Sequence, residues 1–550
     1  MKIARPVIPK VVWWWLGGGL GCRAVVATLL PAGFDEVYYY LYSRHLNWSY
    51  FDHPPIVALT TGIGWWLTGT IAPLTIRAGA LGLYTLTLVL LYWLADYLFD
   101  AKTGIIAVAI ASISPLLWIT FGTLTAPDNG LIVFWTLTVL IAAYEFIPGQ
   151  ASALAPAKAI AYQPSYRIAL LGLTLGLACL SKYHGFVLGL GLVGFCLTCD
   201  RTRKALWSPW TALALLTFLL TLLPLWAWNS QHDWISFRFH LGMRFDGGPS
   251  NSGEANPYRI LDAFGTWLLG IVYLFPTIGF PLWWRTGRSL VQQIRDWIQP
   301  PFTAKEAVIR DRTALILWVS LPIALGFTLL GGKQAIYPAW PAPGFWGLLL
   351  LLAHAASSWR LQTLRRWLSG TGLVLGTLVF VALLHLSLGF LQKPSHYALF
   401  GGFIAPEQDG STALLDVGQL RARVADDPKL TQVFQETDFI FTDEFYLSGY
   451  VDMALYPLAQ LPMTCFSQDP RGFAFWHDPD TWIGQDALYI TLASLHPDLD
   501  ELAAEFQPYF QTLESLQKIP LTRGGAATET VLFYRAAGMQ QSYVYPYPST

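Results

Sequence analysis

Charge is scarce in this 550-residue chain: Asp, Glu, Lys and Arg together make up 13% of it, against about 25% in soluble domains. With 54% hydrophobic residues and 25 Trp, that shortage excludes an ordinary water-soluble protein and makes the bilayer the solvent. Cysteine is scarce as well. Cys22, Cys179, Cys196 and Cys199 lie in or beside apolar runs, and Cys465 stands alone in the polar tail. A disulfide framework is thereby excluded, and the thiols read as small buried hydrophobes. The Cys196-x-x-Cys199 spacing lacks a second Cys or His pair to complete a metal site. No Gly-rich nucleotide fingerprint stands on a strand-turn-helix, and no hydropathy pattern is duplicated in two halves as in many secondary transporters.

What charge there is divides the chain. Residues 1–391 carry 26 Lys and Arg against 15 Asp and Glu, a balance of +11, whereas residues 392–550 carry 8 against 20, a balance of −12. The first part alternates apolar runs with short polar loops. The second has ordinary globular composition and no run of the roughly 20 apolar residues that a span needs. We read a membrane domain over 1–391, with its first loop at 34–77, and a soluble α/β domain over 392–550. In the latter, 437–442 and 486–491 read as strands, and 413–436 and 497–518 as helices. The acidic balance of the tail argues against nucleic acid as a partner.

About eleven spans, within a range of roughly nine to thirteen, are expected on length and apolar continuity. They lie near 11–33, 78–99, 104–122, 130–147, 168–181, 185–199, 208–228, 262–284, 313–331, 343–357 and 370–391. The pair 168–181 and 185–199 is short and flanks a polar Ser181-Lys182-Tyr183-His184 turn, as a broken or re-entrant helix pair would. With the N-terminus cytoplasmic, inside segments hold eighteen Lys and Arg and outside segments before the tail hold seven. The positive-inside rule then makes the 34–77 loop, the 229–259 loop and the tail extracytoplasmic in a multi-pass plasma-membrane protein.

The remaining ionisable groups gather at that outer face: Asp35, Glu36, Asp52, His53 and Arg77 in the first loop, Asp128 before the fourth span, and Lys182 at the short pair. Charge near hydrocarbon is costly unless it faces a polar cavity or a partner, so the cluster reads as a functional site. Carboxylates could take a proton and cations could hold a phosphate, a pairing that suits attack by a hydroxyl or amine while a phosphate leaves. A transporter of a small polar solute or lipid is the alternative.

The order Asp35-Glu36-Val37-Tyr38-Tyr39, Tyr50-Phe51-Asp52-His53-Pro54-Pro55, Leu124-Thr125-Ala126-Pro127-Asp128 and Leu180-Ser181-Lys182-Tyr183 resembles the bacterial glycosyltransferases related to protein O-mannosyltransferases and to the aminoarabinose transferase of lipid A. The segments Trp228 to Phe237 and Tyr337 to Pro343 fit the same family, and the likeness runs into the tail. The resemblance implies a mainly α GT-C fold with a catalytic first outer loop beneath a soluble domain. It also implies an inverting transfer from a polyprenyl-phosphate sugar donor to a lipid, glycan or protein acceptor.

Within that likeness Asp35 is the expected general base, with Glu36 and Asp128 beside it as catalytic candidates. An N-cap role for Asp35, in a helix starting at Glu36, is the competing reading. Asp52, His53, Arg77, Lys182, Tyr183 and Tyr337 are the candidates for donor phosphate and sugar. His53 stands where the aminoarabinose transferases carry the Lys of a Glu-Lys-Pro-Pro motif, which weakens its case, and Asp52 could equally cap a helix. A divalent metal is a candidate cofactor, with Asp35, Asp52 and His53 as candidate ligands. His232, His240 and Arg244 read as solvated loop residues, with a lid over the site as the other reading.

Overall fold

Long apolar helices dominate the computed structural model, which describes residues 8–149, 162–243, 257–299, 303–496 and 505–547. In the membrane part these are α1 (Lys10–Leu29), α2 (Phe34–Arg44), α3 (Ile56–Thr68), α4 (Pro73–Leu98), α5 (Ala101–Ile113), α6 (Pro115–Gly122), α7 (Pro127–Phe146), α8 (Arg167–Ser181), α9 (Gly185–Thr198), α10 (Pro209–Thr221), α11 (Leu223–Gln231), α12 (Ile235–Arg238), α13 (Ile260–Leu274), α14 (Pro276–Ile298), α15 (Ala304–Leu330), α16 (Ala342–Ser357) and α17 (Leu361–Leu388). One large apolar core, built chiefly from α4, α5, α7, α15 and α16, holds them together.

Proline breaks interrupt three of the expected spans. Among the described residues four helices, α4, α7, α15 and α17, are long and apolar enough to cross a membrane, or up to seven if each bent pair is one span. The expected 104–122 span turns 78° where Pro115 follows Ser114, and 208–228 turns 47° ahead of Pro224. The expected 262–284 span is interrupted at Phe275 (φ 78°), where Pro276 starts a new helix. Proline removes an amide donor and pushes its predecessor out of the α region, so apolar continuity overestimates helix length at each of these points. The expected short pair is present as α8 and α9, separated by Lys182, Tyr183 and His184.

α1 and α2 enclose the sharpest bend, 92°. As a result α2 lies across the end of the membrane helices, and Val37 through Ser43 are all buried. Its cover is the tail. There β1 (Phe439–Thr442), β2 (Met463–Cys465), β3 (Ala487–Leu492), β4 (Phe510–Arg523) and β5 (Ala526–Met539) form one sheet in the order β2-β1-β3-β5-β4. β1 pairs parallel with β2 and β3, and β5 runs antiparallel to β3 and β4. The helices are α18 (Val417–Ala425), α19 (Pro428–Gln435), α20 (Phe445–Leu455) and α21 (Phe473–Trp476). The expected helix over 497–518 is corrected: residues 510–518 belong to β4, whose side chains alternate in burial and whose long pairing with β5 satisfies its backbone, while 497–504 lie outside the described residues.

α2 and α20 share a second apolar core with the sheet. Across it the Tyr450 hydroxyl donates to the Ala32 carbonyl at 2.6 Å, the Gly472 N–H donates to Tyr38 Oη at 2.9 Å, and Arg44 pairs with buried Asp452 at 2.9 Å. Gly449 sits against the backbone of Val37, where a Cβ would lie 2.5 Å from its carbonyl oxygen. His45 stacks flat on Trp476 (centroids 4.7 Å, 9°). Burial, with His477 and Arg44 nearby, depresses the His45 imidazole from 6.5 to about 3.

A lowered folded pKa contributes stability above the unfolded value and loses it as pH falls towards the folded one, so the vulnerable window runs from about pH 6.5 downwards. Thermal unfolding between pH 7 and pH 5 is expected to show a loss of order 1 kcal/mol from this group, and His45→Gln should flatten that part of the profile. An unchanged slope in the variant would assign the loss elsewhere.

Candidate functional site

Glu36 and Arg77 organise the region. Glu36 is buried at the third position of α2 and accepts from Arg77 Nε (2.8 Å) and Nη2 (2.6 Å), from the Gly33 N–H (2.8 Å) and from the Thr125 N–H (2.9 Å). Arg77, fully buried, gives its remaining donors to the carbonyls of Ala27, Leu30 and Pro31 at the end of α1. A guanidinium has five N–H donors and all are used. Neither residue has hydrogen-bonding capacity left for a substrate, so the expected catalytic role of Glu36 and phosphate role of Arg77 give way to a clamp joining α1, α2, α4 and the segment before α7.

Asp35 differs from its neighbour. The helix begins at Phe34 with Gly33 as its N-cap, so Asp35 lies inside the first turn and does not cap it. Its side chain is exposed, and its charge bears on the Tyr39 phenol and on the Arg471 guanidinium. The helix dipole favours a carboxylate at this end.

Asp52 is buried, accepts from Tyr42 Oη at Oδ1 and pairs with Arg471 Nη1 at Oδ2 (3.2 Å), and it caps no helix. After Pro54-Pro55 the chain enters α3 at Ile56. His53 Nε2 lies 3.0 Å from Tyr39 Oη. Asp128, at the second position of α7, forms a buried pair with Lys182 Nζ at 2.9 and 2.8 Å to its two oxygens. Lys182 is therefore neutralised within the protein by Asp128. Tyr183 packs on Phe237 and on His240, whose Nε2 donates to the Asp52 carbonyl at 2.7 Å. Together with Ser236, which donates to the Tyr50 carbonyl, His240 brings α12 and the turn after it over the first loop, the lid-like placement. His232 instead stacks on Trp228 and bonds its carbonyl, and Arg244 lies outside the described residues. Tyr337 is 67% exposed and touches Trp340, apart from the Asp35 to Asp52 group.

Among the described residues no three or more His, Cys, Asp or Glu side chains are placed to share a metal ion. The candidate set Asp35, Asp52 and His53 does not converge as such a group, because both Asp52 oxygens and His53 Nε2 have protein partners.

Sequence reasoning missed Arg471. It reaches Asp52 from the tail, also pairs with Asp469 and lies 3.9 Å above the Phe445 ring. The acidic groups around it hold its pKa above the ordinary arginine value in spite of burial. Beside it Glu444 is raised to about 7 by burial and by the Asp443 and Asp469 carboxylates. A lone Arg in an acidic segment carries no motif, and only the fold brings it to the first loop.

Residues 52–228, which contain Asp52, Asp128 and Lys182, match the family model described as dolichyl-phosphate-mannose-protein mannosyltransferase. The fold is similar over 95% of the chain to the crystal structure of ArnT from Cupriavidus metallidurans bound to undecaprenyl phosphate, with a TM-score of 0.59, 15% identity and 97% of that chain covered. The apo crystal structure of the same ArnT gives a TM-score of 0.57 at 13% identity, covering 95% of this chain and 98% of that one. The chain thus shares the fold of these ArnT structures, and part of it matches the mannosyltransferase family model. No curated protein matches the chain by sequence. In this fold the paired charges lie between the helix ends and the tail.

Breaking a buried pair leaves a charge uncompensated, at a cost of about 3–5 kcal/mol. Glu36→Ala and Lys182→Met should each lower the thermal midpoint sharply, whereas exposed Asp35→Asn should leave it within a degree or two, about the effect of an ordinary surface change. Equal midpoints for all three variants would contradict the clamp. A Lys182→Met protein as stable as wild type would return that lysine to substrate binding.

Proposed function

We propose that this protein is a GT-C membrane glycosyltransferase that moves a sugar from a polyprenyl-phosphate donor to a hydroxyl or amine of a lipid, glycan or protein acceptor, with Asp35 as the general base. The observation that carries the reading is the division of labour in the Asp35-Glu36 pair: Glu36 is buried and committed to Arg77, whereas Asp35 is exposed on the first turn of the helix which that clamp fixes. In the transfer, Asp35 takes the acceptor proton, the acceptor oxygen or nitrogen bonds to the anomeric carbon, and the bond from that carbon to the phosphate oxygen breaks with its electron pair leaving on phosphate. One displacement inverts the carbon. Arg471 and the third N–H of Lys182 are the donors for the departing phosphate, with Arg471 the stronger because its fork suits phosphate. Asp128 acts by holding Lys182 in place.

The matched family's description names a dolichyl-phosphate mannose, and the similar ArnT structure holds undecaprenyl phosphate, both of which support a lipid-linked donor. The excess of Lys and Arg on one side supports a cytoplasmic N-terminus, with the site and the 392–550 domain outside the plasma membrane.

The test uses protein in nanodiscs with radiolabelled polyprenyl-phosphate sugars. Wild type should release or transfer sugar, and Asp35→Asn should lose about 10²- to 10⁴-fold in turnover with an unchanged melting point. Equal turnover in the two proteins would remove Asp35 from the chemistry. Failure of wild type with every such donor would remove the donor class.

A further inference from the structure

Buried cations at the site face find carboxylates, but at the other end of the helices three basic side chains do not. Arg285 on α14, Arg312 on α15 and His354 on α16 stand on helices that pack against one another. Arg312 Nε and Nη2, Arg285 Nε and His354 Nδ1 are all shielded from solvent without a hydrogen-bond partner. The charges of the Asp100 carboxylate and of both guanidinium groups bear on the imidazole, whose ring stacks on Phe99 (centroids 4.2 Å, 17°). Nearby carboxylates are engaged elsewhere: Asp311 pairs with Arg201 and Arg310, and Asp100 caps α5 through the Thr103 N–H.

Buried polar atoms are nearly always paired, and an unsatisfied group in a native fold calls for a missing water or ion. One water could satisfy a single nitrogen but could not balance two guanidinium charges. An anion with several acceptor oxygens does both, and phosphate matches the arginine fork. The location fits as well. Phe99 follows the end of α4, whose Arg77 belongs to the clamp, and 22 intervening residues at 1.5 Å each put the two about 33 Å apart, the thickness of a bilayer core. Basic pockets between helices at a membrane face bind lipid phosphates.

We propose that Arg285, Arg312 and His354 form an anion site for a phosphate group at the membrane face opposite Asp35. The site is separate from the transfer reaction and stabilises the packing of α14, α15 and α16. A lipid headgroup and free phosphate share the required chemistry.

The full chain in phosphatidylcholine nanodiscs is melted with increasing phosphatidylglycerol in the disc and, separately, with inorganic phosphate against chloride at equal ionic strength. Native mass spectrometry counts the lipid retained. Wild type should melt higher with at least one of the two probes, and Arg312→Gln or Arg285→Gln should weaken the response about fivefold, the worth of one cation near a lipid phosphate. A response to phosphatidylglycerol alone identifies a headgroup site, and a response to both identifies a site that free phosphate fills. No response in wild type, or equal responses in wild type and both variants, overturns the proposal. Should one variant fail to fold, the other and the wild-type series decide the matter.

Discussion

The buried ion pair of Glu36 and Arg77 is the constraint on which the site depends. It sits where α1 ends and the chain turns 92° into α2, a place where carbonyls of the last helical turn would otherwise face a protein interior without donors. Arg77 supplies those donors and Glu36 neutralises it, while the same carboxylate closes the start of α2 and anchors Thr125. Four segments distant in sequence are fixed by two side chains. The geometry of Asp35, one residue from Glu36, follows directly. Burial of such a pair adds little net stability, because desolvation offsets the Coulomb gain. Its effect is on uniqueness: few other arrangements of these segments would satisfy every donor.

The same economy recurs around it. Asp128 with Lys182 ties α7 to the α8–α9 turn, and Asp52 with Arg471 ties the first loop to the tail. Each pair neutralises its own two charges within the protein. What remains unequal is exposure, since Asp35 is exposed while Glu36, Asp52 and Asp128 are buried. A proton acceptor needs a carboxylate that substrate can touch, and exposure therefore selects among residues that composition alone makes equivalent.

Much of this was legible in the sequence. Charge placement separated membrane part from tail, and the Asp35-Glu36, Asp52-His53, Asp128 and Lys182 segments are the ones brought together. Illegible was how those charges are spent. Arg77 read as a phosphate ligand because nothing local shows that the carbonyls of Ala27, Leu30 and Pro31 and the Glu36 carboxylate surround it, and the partner of Lys182 was hidden because Asp128 lies 54 residues away. Arg471 left no signal, being a single cation more than 400 residues from its partner Asp52. Apolar continuity also concealed the breaks at Pro115, Pro224 and Pro276, since proline is compatible with a hydrophobic run while being incompatible with an unbroken helix. The 510–523 strand was hidden by a polar stretch whose structure comes from its partner β5 rather than from its own pattern.

Arg471 also settles how the tail should be regarded. A domain that merely covered the membrane helices would meet them through an apolar surface and a polar rim, and its removal would expose α2 without altering the charge of the first loop. Here the tail inserts a guanidinium against Asp52, stacks Trp476 on His45 and pairs Asp452 with Arg44. Without Arg471 the buried Asp52 carboxylate would lose its only ion-pair partner among the described residues and be left uncompensated, disturbing Tyr42 and the α2 helix that carries Asp35. The electrostatic state of the first loop is thus a joint property of two parts of the chain, and the tail belongs to the site.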